Sequence, residues 1–141
     1  NALCEHSKIP MLNMIEITKQ HLKELGIKKA GLLATKGTIS SGVYENAFEG
    51  SGIELVIPDE EGKDAVMGVI YDGIKAGNFD YSPESFKKTC ESLLDKGAET
   101  LILACTELPP AFELYKLDYP AVDPTLLLAK AAVKESGCKV K

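Results

Sequence analysis

Leu101-Ile102-Leu103-Ala104 is a run of four apolar residues that ends abruptly in a thiol, a hydroxyl and a carboxylate, Cys105-Thr106-Glu107. Such a run, bounded by polar residues, suits a strand covered on both faces, as in a parallel α/β sheet. Pro109-Pro110 stops the strand soon afterwards. In parallel sheets ligands collect beyond the carboxyl ends of the strands, so Cys105 stands where a reacting group belongs. Free cysteine is also among the most buried residue types and often packs as a small hydrophobe. On these residues alone both readings of Cys105 stand.

The same pattern occurs earlier. Lys29-Ala30-Gly31-Leu32-Leu33-Ala34 reads as a second buried strand, followed by a loop over residues 35–42 that is dense in hydroxyls: Thr35, Thr38, Ser40 and Ser41. A short helix, residues 43–48, follows that loop. Its first amides favour an anion there, whereas the plainer reading is a helix start capped by Ser40 or Ser41. Residues 53–57, Ile-Glu-Leu-Val-Ile, make a third strand stopped by Pro58, and Ala121-Val122 a short fourth.

Helices fill the intervals. Residues 11–25 carry Leu12, Ile15, Leu22 and Leu25 on one side, with Gly26 as the cap. A helix over residues 60–76 has Val66, Ile70 and Ile74 on its stripe, Asp59 as its cap, and Lys75 in its last turn, where a cation suits the helix dipole. Ser82-Pro83-Glu84 opens another, with Phe86, Cys90, Leu93 and Leu94 facing inward. Asp123-Pro124 opens a last helix through about Glu135, and its residues Leu126, Leu127, Leu128, Ala132 and Val133 make it apolar enough to need a partner surface. The expected fold is therefore α/β, a parallel sheet of about four strands flanked by helices, with right-handed crossovers.

Composition narrows the function. With 141 residues, 45% hydrophobic and 26% charged, one domain with one substantial core is expected. A net charge of -5 and the lack of any dense Lys/Arg cluster argue against nucleic acid as a partner. No apolar run is long enough to span a bilayer and no signal peptide is evident, so no membrane partner is expected and cytoplasmic residence is the default. Cys4, Cys90, Cys105 and Cys138 are scattered, with no CxxC pair and no histidine at ligand spacing. Reduced thiols, without a metal, are the expectation.

Three stretches carry a resemblance: Ala104-Cys105-Thr106-Glu107-Leu108-Pro109, Leu32-Leu33-Ala34-Thr35-Lys36-Gly37-Thr38, and Tyr71-Asp72-Gly73-Ile74-Lys75-Ala76-Gly77-Asn78. In this order and spacing the chain resembles the aspartate/glutamate racemase superfamily, most closely its aspartate branch, over residues 9–133. Glu107 is similar to that branch, since glutamate racemases typically carry histidine there. Ala104 departs from the family's usual glycine.

The resemblance implies a two-lobed fold and inversion of an amino-acid Cα with no cofactor, by two cysteines on opposite faces of the substrate, one from each lobe. Cys105 matches the second cysteine. The first belongs to an Asn-Thr-Ala-type motif, which nothing here matches; Cys4 stands in the wrong context. By resemblance, Lys75 supplies positive charge to the substrate carboxylate, Thr35, Thr38 and Thr106 donate hydrogen bonds, and Glu107 orients the substrate ammonium or Thr106. The implied substrate is a small dicarboxylate amino acid. Residues 9–117 would form a C-terminal catalytic lobe, and residues 118–141 a segment that packs on the first lobe. Alternatives are a related maleate isomerase or malonate decarboxylase, a non-catalytic dicarboxylate-binding module, and a lobe that pairs with itself as a homodimer through the last helix.

Overall fold

The computed structural model of the chain describes residues 11–139. Four strands, β1 (Lys29–Leu33), β2 (Glu54–Val56), β3 (Thr100–Leu103) and β4 (Ala121–Val122), form one sheet in the order β2-β1-β3-β4. Every neighbouring pair is parallel. The chain moves from β1 outward to β2, then returns past β1 to add β3 and β4 on the other side. That reversal makes the gap between the ends of β1 and β3 a topological switch point, where open α/β sheets bind ligands.

The period-two alternation of the strands divides the core in two. Leu33, Leu101 and Leu103 face one cluster with Val66, Val69, Ile70, Phe86, Cys90, Leu93 and Leu108. Ala30, Leu32, Ala34 and Ile102 face the other with Leu22, Tyr44, Phe48 and Val122. Burial on both faces accounts for the uninterrupted apolar runs of β1 and β3. Gly31 lets a helix approach closely: a Cβ there would lie 2.8 Å from Leu101 Cδ2 and 3.1 Å from Leu93 Cδ1.

Among the described residues the helices are α1 (Met14–Glu24), α2 (Lys36–Ser40), α3 (Val43–Phe48), α4 (Glu60–Gly68), α5 (Glu84–Asp95), α6 (Leu108–Leu114) and α7 (Pro124–Glu135). α1 starts later than its apolar pattern suggested, because Asn13 Oδ1 accepts from the amides of Ile15 and Glu16 and fixes the cap there. Asp59 and Asp123 cap α4 and α7 as expected. Ser82 does not cap α5; Pro83 holds the cap position with no side-chain bond. The prolines after Cys105 do more than end a strand, for they occupy the first turn of α6, where their missing N–H groups cost nothing.

Two further departures concern the strand ends. The loop after β1 is itself a helical turn, α2, capped by Thr35. Neither Ser40 nor Ser41 caps α3. Gly42, at φ +65, holds that position, and Ser41 Oγ donates back to Thr38 O at 2.6 Å. The helix expected over residues 60–76 is α-helical only to Gly68; Val69–Lys75 is a π-helical segment with wider bonds, Ala76 N to Tyr71 O at 3.1 Å and Asn78 N to Gly73 O at 3.0 Å.

α7 packs beside α1, and Leu127 reaches the second core cluster. Leu126 remains 50% exposed and Val133 38%. Among the described residues no helix is long and apolar enough to cross a membrane.

Candidate active site

The register of β1 with β3 pairs Leu33 with Leu103. Ala104 N donates to Leu33 O at 2.8 Å, extending the ladder just past the strand end. Thr35 and Cys105 therefore leave adjacent strands at the same level, on either side of the switch point. Cys105 is half-buried. The chain then turns at once, Leu108 N bonding to Cys105 O at 3.0 Å, and the turn folds Glu107 back over the thiol.

Glu107 is the hub. Its Oε2 accepts from Cys105 Sγ at 2.9 Å and from Thr106 Oγ1 at 3.1 Å. Its Oε1 stands 3.7 Å from Lys75 Nζ. Lys75 also lies over the Tyr71 ring, 4.5 Å from its centroid, a cation–π contact that restrains a long side chain. Lys75 comes from the end of the π-helical segment, so its partner is a distant carboxylate as well as the helix terminus.

The protonation states are set by these contacts. Burial pushes the Cys105 thiol up, Glu107 raises it further by accepting its hydrogen bond, and Lys75 opposes both more weakly. The thiol holds its proton in this arrangement. Glu107 is held below the usual carboxylate range, first by the thiol's hydrogen bond and then, against some desolvation, by Thr106, its own amide and Lys75. A depressed thiol, the simplest consequence of a lysine nearby, is not what this geometry gives, because burial first and the carboxylate second outweigh the lysine.

Thr35 and Thr38 form a second group, with Oγ1 atoms 3.0 Å apart and Thr38 N donating to Thr35 Oγ1 at 3.2 Å. No hydrogen bond joins this pair to the Cys105 group among the described residues. Lys36, between the threonines, reaches Asp64 at 2.6 Å and Glu60 at 3.7 Å, tying the β1 end to α4. Tyr71 stands in one of the three matching stretches but was given no role of its own, although its place one helical turn before Lys75 was the available signal.

Cys90 is fully buried and Cys138 exposed; both, like Cys105, are free thiols. Cys4 lies outside the described residues. Among these residues no group of histidine, cysteine and carboxylate side chains could hold a metal ion. Two surface clefts of about 650 and 660 Å³, one between α4 and α5 and one beside α3 and β2, lie away from Cys105.

Against known proteins, the model of the Asp/Glu/Hydantoin racemase family matches residues 1–132. The chain belongs to that family. A relative from Pectobacterium carotovorum subsp. carotovorum, described as an uncharacterized protein in the pnlA 3' region, is 31% identical over 136 residues, covering 95% of this chain and 90% of the relative. The broad specificity amino-acid racemase RacX of Bacillus subtilis is 30% identical over 125 residues, covering 89% of this chain but 54% of RacX. The solved aspartate racemase of Picrophilus torridus is 33% identical with a TM-score of 0.72, covering 95% of this chain and 56% of that one. The chain thus spans about half the length of these two racemases and nearly all of the Pectobacterium relative.

Proposed function

We propose that the chain is the C-terminal catalytic lobe of a cofactor-independent amino-acid racemase acting on aspartate, with Cys105 as one of its two acid/base thiols. The observation that carries this reading is the Cys105–Glu107–Lys75 group at the switch point of a chain that belongs to the Asp/Glu/Hydantoin racemase family. The relatives named aspartate racemase and amino-acid racemase support the substrate class.

The chemistry suits these residues. One thiolate takes the Cα proton while a thiol on the opposite face gives its own, so each turnover inverts the carbon and exchanges the protonation of the two sulfurs. Cys105 as a protonated thiol is ready to donate. Once it has given that proton to Cα it is the thiolate that serves the reverse direction, and Glu107, its hydrogen-bond acceptor at 2.9 Å, orients the thiol for the transfer. Lys75 offsets the negative charge that gathers on the substrate carboxylate as the carbanion becomes enolate-like. The threonine hydroxyls, Thr106 on one strand end and Thr35 with Thr38 on the other, supply donors for that carboxylate. Residues 118–141 would bring the exposed Leu126 and Val133 of α7 against the first lobe.

Racemisation followed by polarimetry or circular dichroism tests the reading. The purified 141-residue chain brings one base and is expected not to sustain turnover. The intact gene product is expected to racemise aspartate and to lose that activity in Cys105→Ala. Sustained turnover by the 141-residue chain alone would refute the one-base reading. Ligand binding lost in Lys75→Ala and kept in Cys105→Ala, with no racemisation by the intact protein, would instead establish a dicarboxylate-binding module.

A further inference from the structure

The π-helical segment Val69–Lys75 is held at two glycines. A Cβ on Gly68, the residue before it, would overlap the Tyr81 hydroxyl outright. A Cβ on Gly73, inside it and buried, would stand 3.0 Å from the Tyr115 hydroxyl and 3.4 Å from Tyr81 Cδ1. Both rings pack against the larger core cluster. The Tyr115 hydroxyl is buried with no hydrogen-bond partner among the described residues, so its ring sits there by shape and against the cost of an unpaired polar atom. Tyr115 also closes α6, the helix that begins immediately after Glu107. One short helix therefore meets the π-helical segment twice, through Glu107 on Lys75 and through Tyr115 on Gly73.

We infer that Tyr81 and Tyr115 are positioning residues for Lys75: lodged against Gly68 and Gly73, they hold the π-helical segment in the register that brings Lys75 to Glu107 beside Cys105. The wide turn accommodates one residue more than an α-helix would over the same stretch. Tightening it would swing every later side chain by about 100° around the axis, and Lys75 would leave Glu107. The phenols prevent this by filling the space that the two glycines leave open. Their effect reaches the thiol through the lysine. The inference rests on the reading of Cys105 and Lys75 as one reacting site.

The test uses Cys105 itself as the reporter. Alkylation by iodoacetamide, followed across pH by mass spectrometry of the Cys105 peptide, reports the thiolate, whose charged neighbours are Glu107 and Lys75. Gly73→Ala is expected to slow alkylation at fixed pH by about two- to fivefold, the range for a partly exposed charge contact, and to match Lys75→Ala. Tyr115→Phe removes the atom that the new methyl meets, leaving contacts of 3.4 Å and beyond. The double variant Gly73→Ala/Tyr115→Phe should therefore recover the wild-type profile. A Gly73→Ala protein that melts earlier yet keeps the wild-type alkylation profile would overturn the inference, as would a double variant that is not restored. If Gly73→Ala does not fold, Tyr115→Leu empties the space instead, and an unshifted profile there overturns the inference equally. Because alkylation needs no substrate, this result stands apart from the outcome of the racemisation test.

Discussion

Cys90 and Cys105 touch the same apolar cluster, and both thiols are pushed up from their ordinary value, yet for different reasons. Cys90 lies on the inner face of α5, fully buried, and burial dominates in raising it to about 12. Cys105 lies past the end of β3, half-buried, raised by burial together with a carboxylate that accepts its hydrogen bond and countered by a lysine. A thiol held only by burial has nowhere to send its proton. One held by Glu107 has an acceptor at 2.9 Å and a cation close behind it. Position in the fold, rather than residue type, separates a packing cysteine from the one proposed to react.

The comparison breaks first in activity. Cys105→Ser in the intact protein should lower turnover by about 10²–10⁴-fold, the range for loss of a general acid or base, with little change in melting temperature. Cys90→Ala should do the reverse, costing roughly 1–2 kcal/mol of stability through the small cavity with turnover retained. Loss of activity in a well-folded Cys90→Ala protein would erase the distinction. Reactivity is the next measure. Iodoacetamide should label Cys105 in the native chain faster than Cys90 by about a hundredfold or more, since inaccessible structural cysteines are inert, and denaturant should bring the two rates together. Equal native rates would contradict the assignment of Cys90 to the core.

Smaller effects sharpen the electrostatics. Glu107 raises the Cys105 thiol, so Glu107→Gln should move the alkylation profile to lower pH, increasing the rate several-fold at fixed neutral pH. A shift to higher pH would contradict the assignment of Glu107 as the group that raises the thiol. The smallest effect is on stability. Folding keeps the Cys90 thiol protonated, so its contribution is complete below the ordinary thiol pKa of about 8.5 and is lost as pH climbs toward about 12. Cys90→Ala should therefore show a shallower alkaline decline in urea titrations between those values.

Much of this arrangement was legible in the residues. The runs Leu32-Leu33-Ala34 and Leu101-Ile102-Leu103 identify β1 and β3 because a strand buried on both faces tolerates no polar interruption. The polar residues just past each run, Thr35 on one side and Cys105-Thr106-Glu107 on the other, mark the switch point. Asp123-Pro124 is a local cap signal and is honoured as one. What local pattern left open was decided by side-chain contacts that form only in the fold. Val66, Ile70 and Ile74 fit one unbroken apolar stripe, and the widened turn among them depends on Tyr81 and Tyr115, which local periodicity does not reveal. Pro109-Pro110 satisfies both a strand stop and a helix start, and only the turn that brings Glu107 over Cys105 selects the second. Lys75 fits a helix terminus, and its pairing with Glu107 appears only once α6 is folded against the π-helical segment.

The most direct test of the central claim is proton NMR of L- and D-aspartate in D₂O with the intact protein and its Cys105→Ser variant, following loss of the Cα proton. Washout is expected from both enantiomers with the wild type, and from at most one with the variant, which no longer racemises. Failure of the wild type to exchange either enantiomer, or racemisation by the variant at the wild-type rate, would contradict that claim.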